Sequence, residues 1–332
     1  MNTQSEHDLV SIAARTPNLA AEAVECVVTV PTFKRPDQLL ATLASLARQE
    51  TKRRLAVIVI ENEATERAGA EAAAPLFERG EISGLVIIAH QRGNCAAYNA
   101  GWETALNTFP NFRNLLVIDD DEIASPGWLE AMCRTAETLP ADIVGGPQAP
   151  VFADPSHEAF GSHPVFRPPY DRTGRVPALY SSGNLLIVRH VLEVMERPFL
   201  DLRFNFMGGG DSDFLSRASQ KGFRLGWCAE APVHEAVPAR RIEADWIRAR
   251  SLRNGVISTL VEKKKRSAEP LGRARVLAKS IALLAASPFR AARQLAATRK
   301  TSIAMYPVYV GLGRLLAEFG YANEQYREPE KN

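Results

Sequence analysis

The run Leu115-Leu116-Val117-Ile118 stops on four consecutive acids, Asp119-Asp120-Asp121-Glu122. Four aliphatic residues in a row read as a strand buried on both faces of a parallel sheet, because neither face can then meet water. Ligands of open α/β sheets bind beyond the carboxyl ends of the strands, where these acids fall. Carboxylates packed this closely repel one another unless they share a cation. Oxygen-only ligands suit Mg²⁺ or Mn²⁺, metals that usually hold substrate phosphates as well. A solvated acidic loop is the plainer alternative.

With 332 residues, 46% of them hydrophobic, the chain can bury one large α/β domain and carry an appendage. Its net charge of +2 conceals an asymmetry. Residues 240–300 hold 16 Lys/Arg against 4 Asp/Glu, a surplus of 12 that leaves about −10 on the remainder. Such a basic third suits a phosphate-bearing ligand or an anionic lipid surface, unless it is only a solvated helical face. No nucleic-acid partner is expected. Cys26, Cys95, Cys133 and Cys228 form no C-x-x-C pair and are expected to be reduced, as in a cytoplasmic protein. The first 20 residues have neither the basic start nor the apolar stretch of a signal peptide, and no apolar run is long enough to span a bilayer.

Periodicity organises the chain. Strands are expected over 26–30 (ended by Pro31), 55–60, 85–89, 115–118, 142–144 and 185–188. Helices are expected from Asp37 through Leu46, and over 95–106, 128–139 and 212–221. This alternation predicts βαβ units and a doubly wound, mostly parallel sheet flanked by helices, with a helical appendage at the C-terminus. Residues 1–24 read as a polar leader, 25–260 as the α/β domain and 261–332 as a basic amphipathic helical region. Residues 147–180, rich in proline and aromatics, predict a long loop over the site.

Two common phosphate cradles are missing. The chain has no G-x-x-x-x-G-K-[ST], and Gly311-Leu312-Gly313 is followed by Leu316 where a dinucleotide loop needs glycine. A nucleotide diphosphate would then be held through a metal at acidic strand ends.

The segments Val28-Thr29-Val30-Pro31-Thr32-Phe33-Lys34-Arg35, Val57-Ile58-Val59-Ile60-Glu61-Asn62 and Asp119-Asp120-Asp121 resemble the nucleotide half of family 2 glycosyltransferases of the GT-A fold. Arg92-Gly93-Asn94 leading to Asn99-Ala100-Gly101 is similar to that family's glycine- and asparagine-rich segment. Ser182-Gly183-Asn184 and Gly209-Gly210-Asp211-Ser212-Asp213-Phe214 resemble its acceptor-side motifs. The stretch from Glu235 to Gly255 resembles bacterial exopolysaccharide members, of which the succinoglycan-type glucosyltransferases are the nearest likeness.

The resemblance implies an inverting transferase that moves a sugar from a nucleotide-sugar donor, a UDP-sugar by preference, to a glycan or polyprenyl-diphosphate-linked acceptor. It implies donor contacts from Pro31, Thr32, Arg35, Glu61, Asn62, Arg92, Asn94, Asp119 and Asp120, with Asp120 at the ribose and Asp121 at a Mg²⁺ or Mn²⁺ ion. Glu61 stands where the family usually has Asp, so a helix-capping role stays open for it. Asp211 matches the family's catalytic base, with Asp213 as the second choice, and Gly210 stands where Glu is usual. The acceptor side would comprise Ser182, Gly183, Asn184, Asp213, Trp246, Arg250 and Arg253, the last three on one helix face. His234 is a further candidate metal ligand, against a plain loop histidine. A lipid-linked acceptor would place the enzyme peripherally on the cytoplasmic face of the inner membrane. A catalytically silent nucleotide- or glycan-binding subunit of the same fold is the alternative, for which Gly210 is the hint.

Overall fold

The computed structural model describes residues 9–321. Its centre is a parallel set of strands: β2 (Cys26–Thr32), β3 (Leu55–Glu61), β4 (Gly84–Ala89) and β5 (Asn114–Ile118). Their side chains alternate between two apolar layers. Val27, Ile58, Ile60, Ile87 and Val117 face one layer. Val28, Val30, Val57, Val59, Val86, Leu116 and Ile118 face the other. Such two-sided burial is why these strands read as unbroken aliphatic runs. Helix α1 (Pro36–Ala47), α2 (Ala68–Glu78) and α4 (Trp128–Thr138) cover the second layer, while α3 (Asn94–Thr108) covers the first with Tyr98 and Trp102.

The remaining strands extend the sheet on both sides. These are β1 (Val10–Arg15), β6 (Glu122–Ala124), β7 (Ile143–Gly145), β8 (Gln148–Phe152), β9 (Gly174–Arg175), β10 (Asn184–Val188), β11 (Leu225–Trp227) and β12 (Val233–Val237). Among the described residues, nine strands form one sheet in the order β1-β4-β3-β2-β5-β10-β7-β11-β9. A second sheet, β6-β12-β8, sits beside the acidic tip of β5. Helices α5 (Arg189–Val194) and α6 (Gly210–Gln220) follow β10 and precede β11.

Three details differ from the sequence expectation. The leader is partly structured, because β1 pairs antiparallel with β4 as an edge strand. Its mostly exposed VSIAAR pattern buries only Ala14 fully, which left no periodic signal. Strand β2 does not end at Pro31 but runs through it to Thr32. Pairing with β5 covers only Cys26 to Thr29, so the proline's missing N–H interrupts no ladder on that side. The 147–180 segment is not loop throughout, since it contributes β8 and β9.

The C-terminal third is three helices: α7 (Ala244–Lys265), α8 (Gly272–Thr298) and α9 (Thr301–Glu318). Helix α7 runs without a break across the boundary expected at residue 260. It crosses α9 at backbone distance through a glycine on each. A Cβ on Gly255 would lie 2.2 Å from the Val310 carbonyl oxygen, and one on Gly313 would lie 2.0 Å from that of Leu252. Gly311-Leu312-Gly313 therefore serves helix packing. Arg314, almost fully buried, locks the crossing by donating to Glu262 at 2.8 Å and to Ser258 at 2.7 Å. Among the described residues, no helix is long and apolar enough to cross a membrane.

Candidate functional site

The carboxyl ends of β2 and β5, the start of α6 and one face of α7 open into a common cavity of about 1490 Å³. Small-molecule pockets usually run to about 1,000 Å³, so this one has room for two substrates side by side. Every sequence candidate lines it except Glu61, Asp213 and His234.

At the strand tip, the three aspartates are separated by their partners. Thr32 Oγ1 donates to Asp120 Oδ2 at 2.8 Å, and Arg35 Nη1 donates to Asp120 at 3.3 Å and to Asp121 Oδ2 at 2.7 Å. Tyr98 donates its hydroxyl to Asp119 Oδ1 at 2.5 Å. The turn itself is held from below, where Thr42 Oγ1 donates to the carbonyls of Asp120 and Glu122. Glu122 is buried behind them, accepting from the Asp119 amide at 2.9 Å and from Gln148 Nε2 at 2.5 Å.

Crowded burial dominates the electrostatics here. Burial, then repulsion from Asp121, pushes Asp119 up to about 7 against the pull of the Tyr98 bond. Burial likewise raises Asp120 to about 6, with Arg35 opposing. Glu122 and Glu235 are raised by burial first, then by neighbouring acids. A divalent cation would relieve this repulsion. Among the described residues, no three metal-ligating side chains converge. The all-oxygen donor set nonetheless fits a hard cation bound by one or two carboxylates and completed by substrate phosphates. Asp121, facing both Asp119 and Glu235, is placed for that.

The loops around the acids are held by amides. Asn62 donates to the Ala89 and Gln91 carbonyls at 3.3 and 2.9 Å and accepts from the Gly93 N–H at 2.7 Å. Gly93 has φ +125°, and a Cβ there would lie 2.1 Å from the Asn205 side chain, so glycine is required twice over. Asn205 in turn accepts from the Ala96 N–H at 3.1 Å and donates to the Arg92 carbonyl at 2.8 Å. The Arg92 guanidinium lies 5.0 Å from the Phe33 ring centroid. Pro31, Thr32, Arg35, Asn62, Arg92 and Asn94 line the same cavity as the aspartates. On the other wall, Asn184 is a structural pin: it accepts from Trp128 Nε1 at 2.8 Å and donates to Pro147 and Ala231. Ser182 and Gly183 stand beside it, Gly183 so close that a Cβ would lie 2.8 Å from Asp119 Oδ2.

Asp211 is recessed at the start of α6. It accepts from the backbone N–H of Ser212 at 2.7 Å and from that of Ser182. Burial raises its proton affinity, and these amides together with Arg253 and Arg250 hold the rise back. Gly210 beside it has a packing reason, since a Cβ there would lie 2.5 Å from Cys95 Sγ. Trp246, Arg250 and Arg253 face the same space from α7, and Trp246 stacks on Phe166 of the 147–180 segment, 6.0 Å between centroids at 6°.

Three candidates lie elsewhere. Asp213 points to the opposite side of α6, buried and ion-paired with Arg217 at 2.9 Å and Lys264 at 2.8 Å. Two residues along a helix rotate a side chain by roughly 200°, so Asp211 and Asp213 cannot share a face. Glu61 is fully buried and turned toward α2, where it accepts from the amides of Glu63 at 2.8 Å and Ala70 at 3.1 Å. Helix α2 had no sequence signal: it is Ala-rich, holds Pro75, and needs this carboxylate at its start. Glu61→Ala is therefore expected to lower unfolding stability by about 2 kcal/mol with nucleotide affinity retained, because two amides lose their acceptor. Thermal melting and a nucleotide titration of the same variant check both halves. His234 is exposed on β12, and its neighbour Glu235 lines the cavity in its place, ion-paired with Arg241. Strand alternation turns one of any adjacent pair inward, and β12 pairing Glu235 with Glu122 selects the glutamate. Sequence reasoning also passed over Tyr98, Asn205 and Gln148, single polar residues that carry no motif, and gave Arg241, inside the Glu235–Gly255 stretch, no role of its own.

A family model described as Glycosyl transferase family 2 matches residues 27–192, half of the chain. No curated protein matches it in sequence. Among solved structures, mannosyltransferase PcManGT from Pyrobaculum calidifontis, in complex with GDP-Man and Mn²⁺, is similar with a TM-score of 0.56. It is 16% identical, over 88% of this chain and 87% of that one. S. aureus TarS 1-349 in complex with UDP is similar with a TM-score of 0.51 at 13% identity, over 93% and 98% of the two chains. Against the longer S. aureus TarS chain the match spans 44% of that chain's length. These likenesses concern the fold, which is GT-A.

Proposed function

Because the chain belongs to glycosyl transferase family 2, we propose that it is an inverting transferase moving a sugar from a nucleotide-diphosphate donor to a glycan or polyprenyl-diphosphate-linked acceptor. The observation that carries this reading is that Asp119, Asp120 and Asp121 open into the same cavity as Asp211. The donor lies against β2 and β5, with Asp120 toward the ribose and Arg35 and Arg92 near the diphosphate. Asp211 accepts the proton of the acceptor hydroxyl as that oxygen attacks the anomeric carbon, and the nucleoside diphosphate departs. A carboxylate raised by burial is a better base than a solvated one. Arg250 and Arg253 border the acceptor side of the cavity near Asp211. Asp121, with Asp119 or Glu235 beside it, would hold Mg²⁺ or Mn²⁺. When bound, that ion offsets the charge on the leaving diphosphate.

The acceptor half of the cavity, walled by the 162–169 stretch, Trp246 and α7, is roomy enough for a saccharide chain end. A place in exopolysaccharide assembly, at the cytoplasmic face of the inner membrane, is consistent with a basic C-terminal third. The silent-subunit reading leaned on Gly210, and the Cys95 contact gives that glycine a packing role instead.

The test is a panel of UDP- and GDP-sugars incubated with the protein and Mn²⁺, reading free nucleoside diphosphate. One donor is expected to release nucleotide well above the protein-free rate and to raise the melting temperature. No release and no stabilisation across the panel would reject the reading.

A further inference from the structure

The outer face of α8 fits no part of the catalytic description. Val276, Ser280 and Ser287 turn inward and are buried, and Lys279, Gln294 and Thr298 border the cavity. On the other side, Leu277 (39% exposed), Ile281 (53%), Phe289 (81%) and Leu295 (45%) are left in solvent. Ala274, Ala278, Ala282, Ala285, Pro288, Ala292 and Ala296 fill the space between them, all exposed. At 100° per residue these positions occupy one arc of about 140°, some 27 Å long from Leu277 to Leu295. Apolar surface of that extent on one face marks an interaction site.

Charge tells what covers it. Helix α8 contains no acidic residue. Arg273 borders one edge of the arc, and Arg275 and Arg293 border the other, with Arg290 just beyond. Among the described residues, Arg275 pairs with Glu269 at 3.1 Å, whereas Arg273, Arg290 and Arg293 have no ion-pair partner. An apolar strip edged by unpaired guanidiniums has the cross-section of a helix lying in a lipid interface, apolar side down and cations at the headgroups. A protein partner would need acids along both edges and an apolar groove between them. A second copy of this face would set arginine against arginine.

The geometry points to α8 as an in-plane docking helix for an anionic bilayer surface, with the opposite side of the same helix forming part of the cavity wall. It rests on the proposed function only for the reason a lipid surface matters. The face itself is read from α8. Docking this way would bring a lipid-carried acceptor to the edge of the cavity, so that the sugar end enters while the lipid stays in the membrane.

The test is flotation of the full chain with phosphatidylcholine vesicles made with or without phosphatidylglycerol, at low and high salt. Binding is expected with phosphatidylglycerol, weakened by salt and near background without it. Reversing Arg273, Arg290 and Arg293 to Glu is expected to weaken it roughly a hundredfold, and Ile281→Glu with Phe289→Glu at least as much. Melting temperatures and donor-dependent nucleotide release, measured without lipid, check that these variants are folded. Recovery of the unaltered chain in the unbound fraction with both lipids would overturn the inference while leaving nucleotide release untouched. So would a dimer by light scattering that Phe289→Glu dissociates without any flotation. Flotation without nucleotide release would instead sink the enzymatic reading alone.

Discussion

Asp211→Asn is expected to lower turnover by about a thousandfold while donor affinity and melting temperature change little. The amide keeps the shape of the carboxylate, and its oxygen can still accept from the Ser212 backbone N–H. What disappears is the capacity to take a proton. The neighbouring Asp213→Asn is expected to do the reverse. Its carboxylate is buried between Arg217 and Lys264, and removing one partner of a buried ion pair costs roughly 3 kcal/mol. Rate and melting temperature measured on both variants form a two-by-two comparison. If turnover survives in Asp211→Asn and fails in Asp213→Asn at unchanged stability, the base has been misassigned.

Asp121→Ala is expected to abolish the gain in nucleotide affinity that a divalent metal provides, a loss of roughly a hundredfold at saturating metal. Metal-free affinity should stay near that of the unaltered protein. Stability is expected to change little, because the repulsion relieved on Asp119 and Glu235 offsets the lost pair with Arg35, which keeps Asp120. Isothermal titration of UDP with and without Mn²⁺ decides the matter. An unchanged metal effect in the variant would move the ion to other ligands.

The central strands were readable because two-sided burial leaves an unbroken aliphatic run in β2, β3, β4 and β5. Edge strand β1 and helix α2 were not, since one is mostly exposed and the other is held by a tertiary cap from Glu61 rather than by its own periodicity. At the candidate site, most of the expected residues line one cavity, and those that do not are close neighbours of residues that do. In each of the neighbour pairs Glu61 and Asn62, Asp211 and Asp213, and His234 and Glu235, only one member lines the cavity. A single step along a strand, or two along a helix, turns a side chain to the other side. Register settles that choice, and register is a property of the paired strand or packed helix. Tyr98 and Asn205 had no such neighbourhood to betray them, because their partners come from chain segments distant in sequence.

Arg35 has a consequence for how the two halves of the donor arrive. With its guanidinium bonded to Asp120 and Asp121, the resting protein carries a built-in counter-ion where the proposed metal would enter. A cation arriving alone must evict that guanidinium and leave it stranded among low-dielectric walls. A cation arriving with a diphosphate brings an anion that receives the evicted arginine. Were a divalent metal to bind here, it and the nucleotide would each remove the other's obstacle, and by linkage the help would be equal in both directions. One arginine would thereby make the pocket favour the charged pair over free metal.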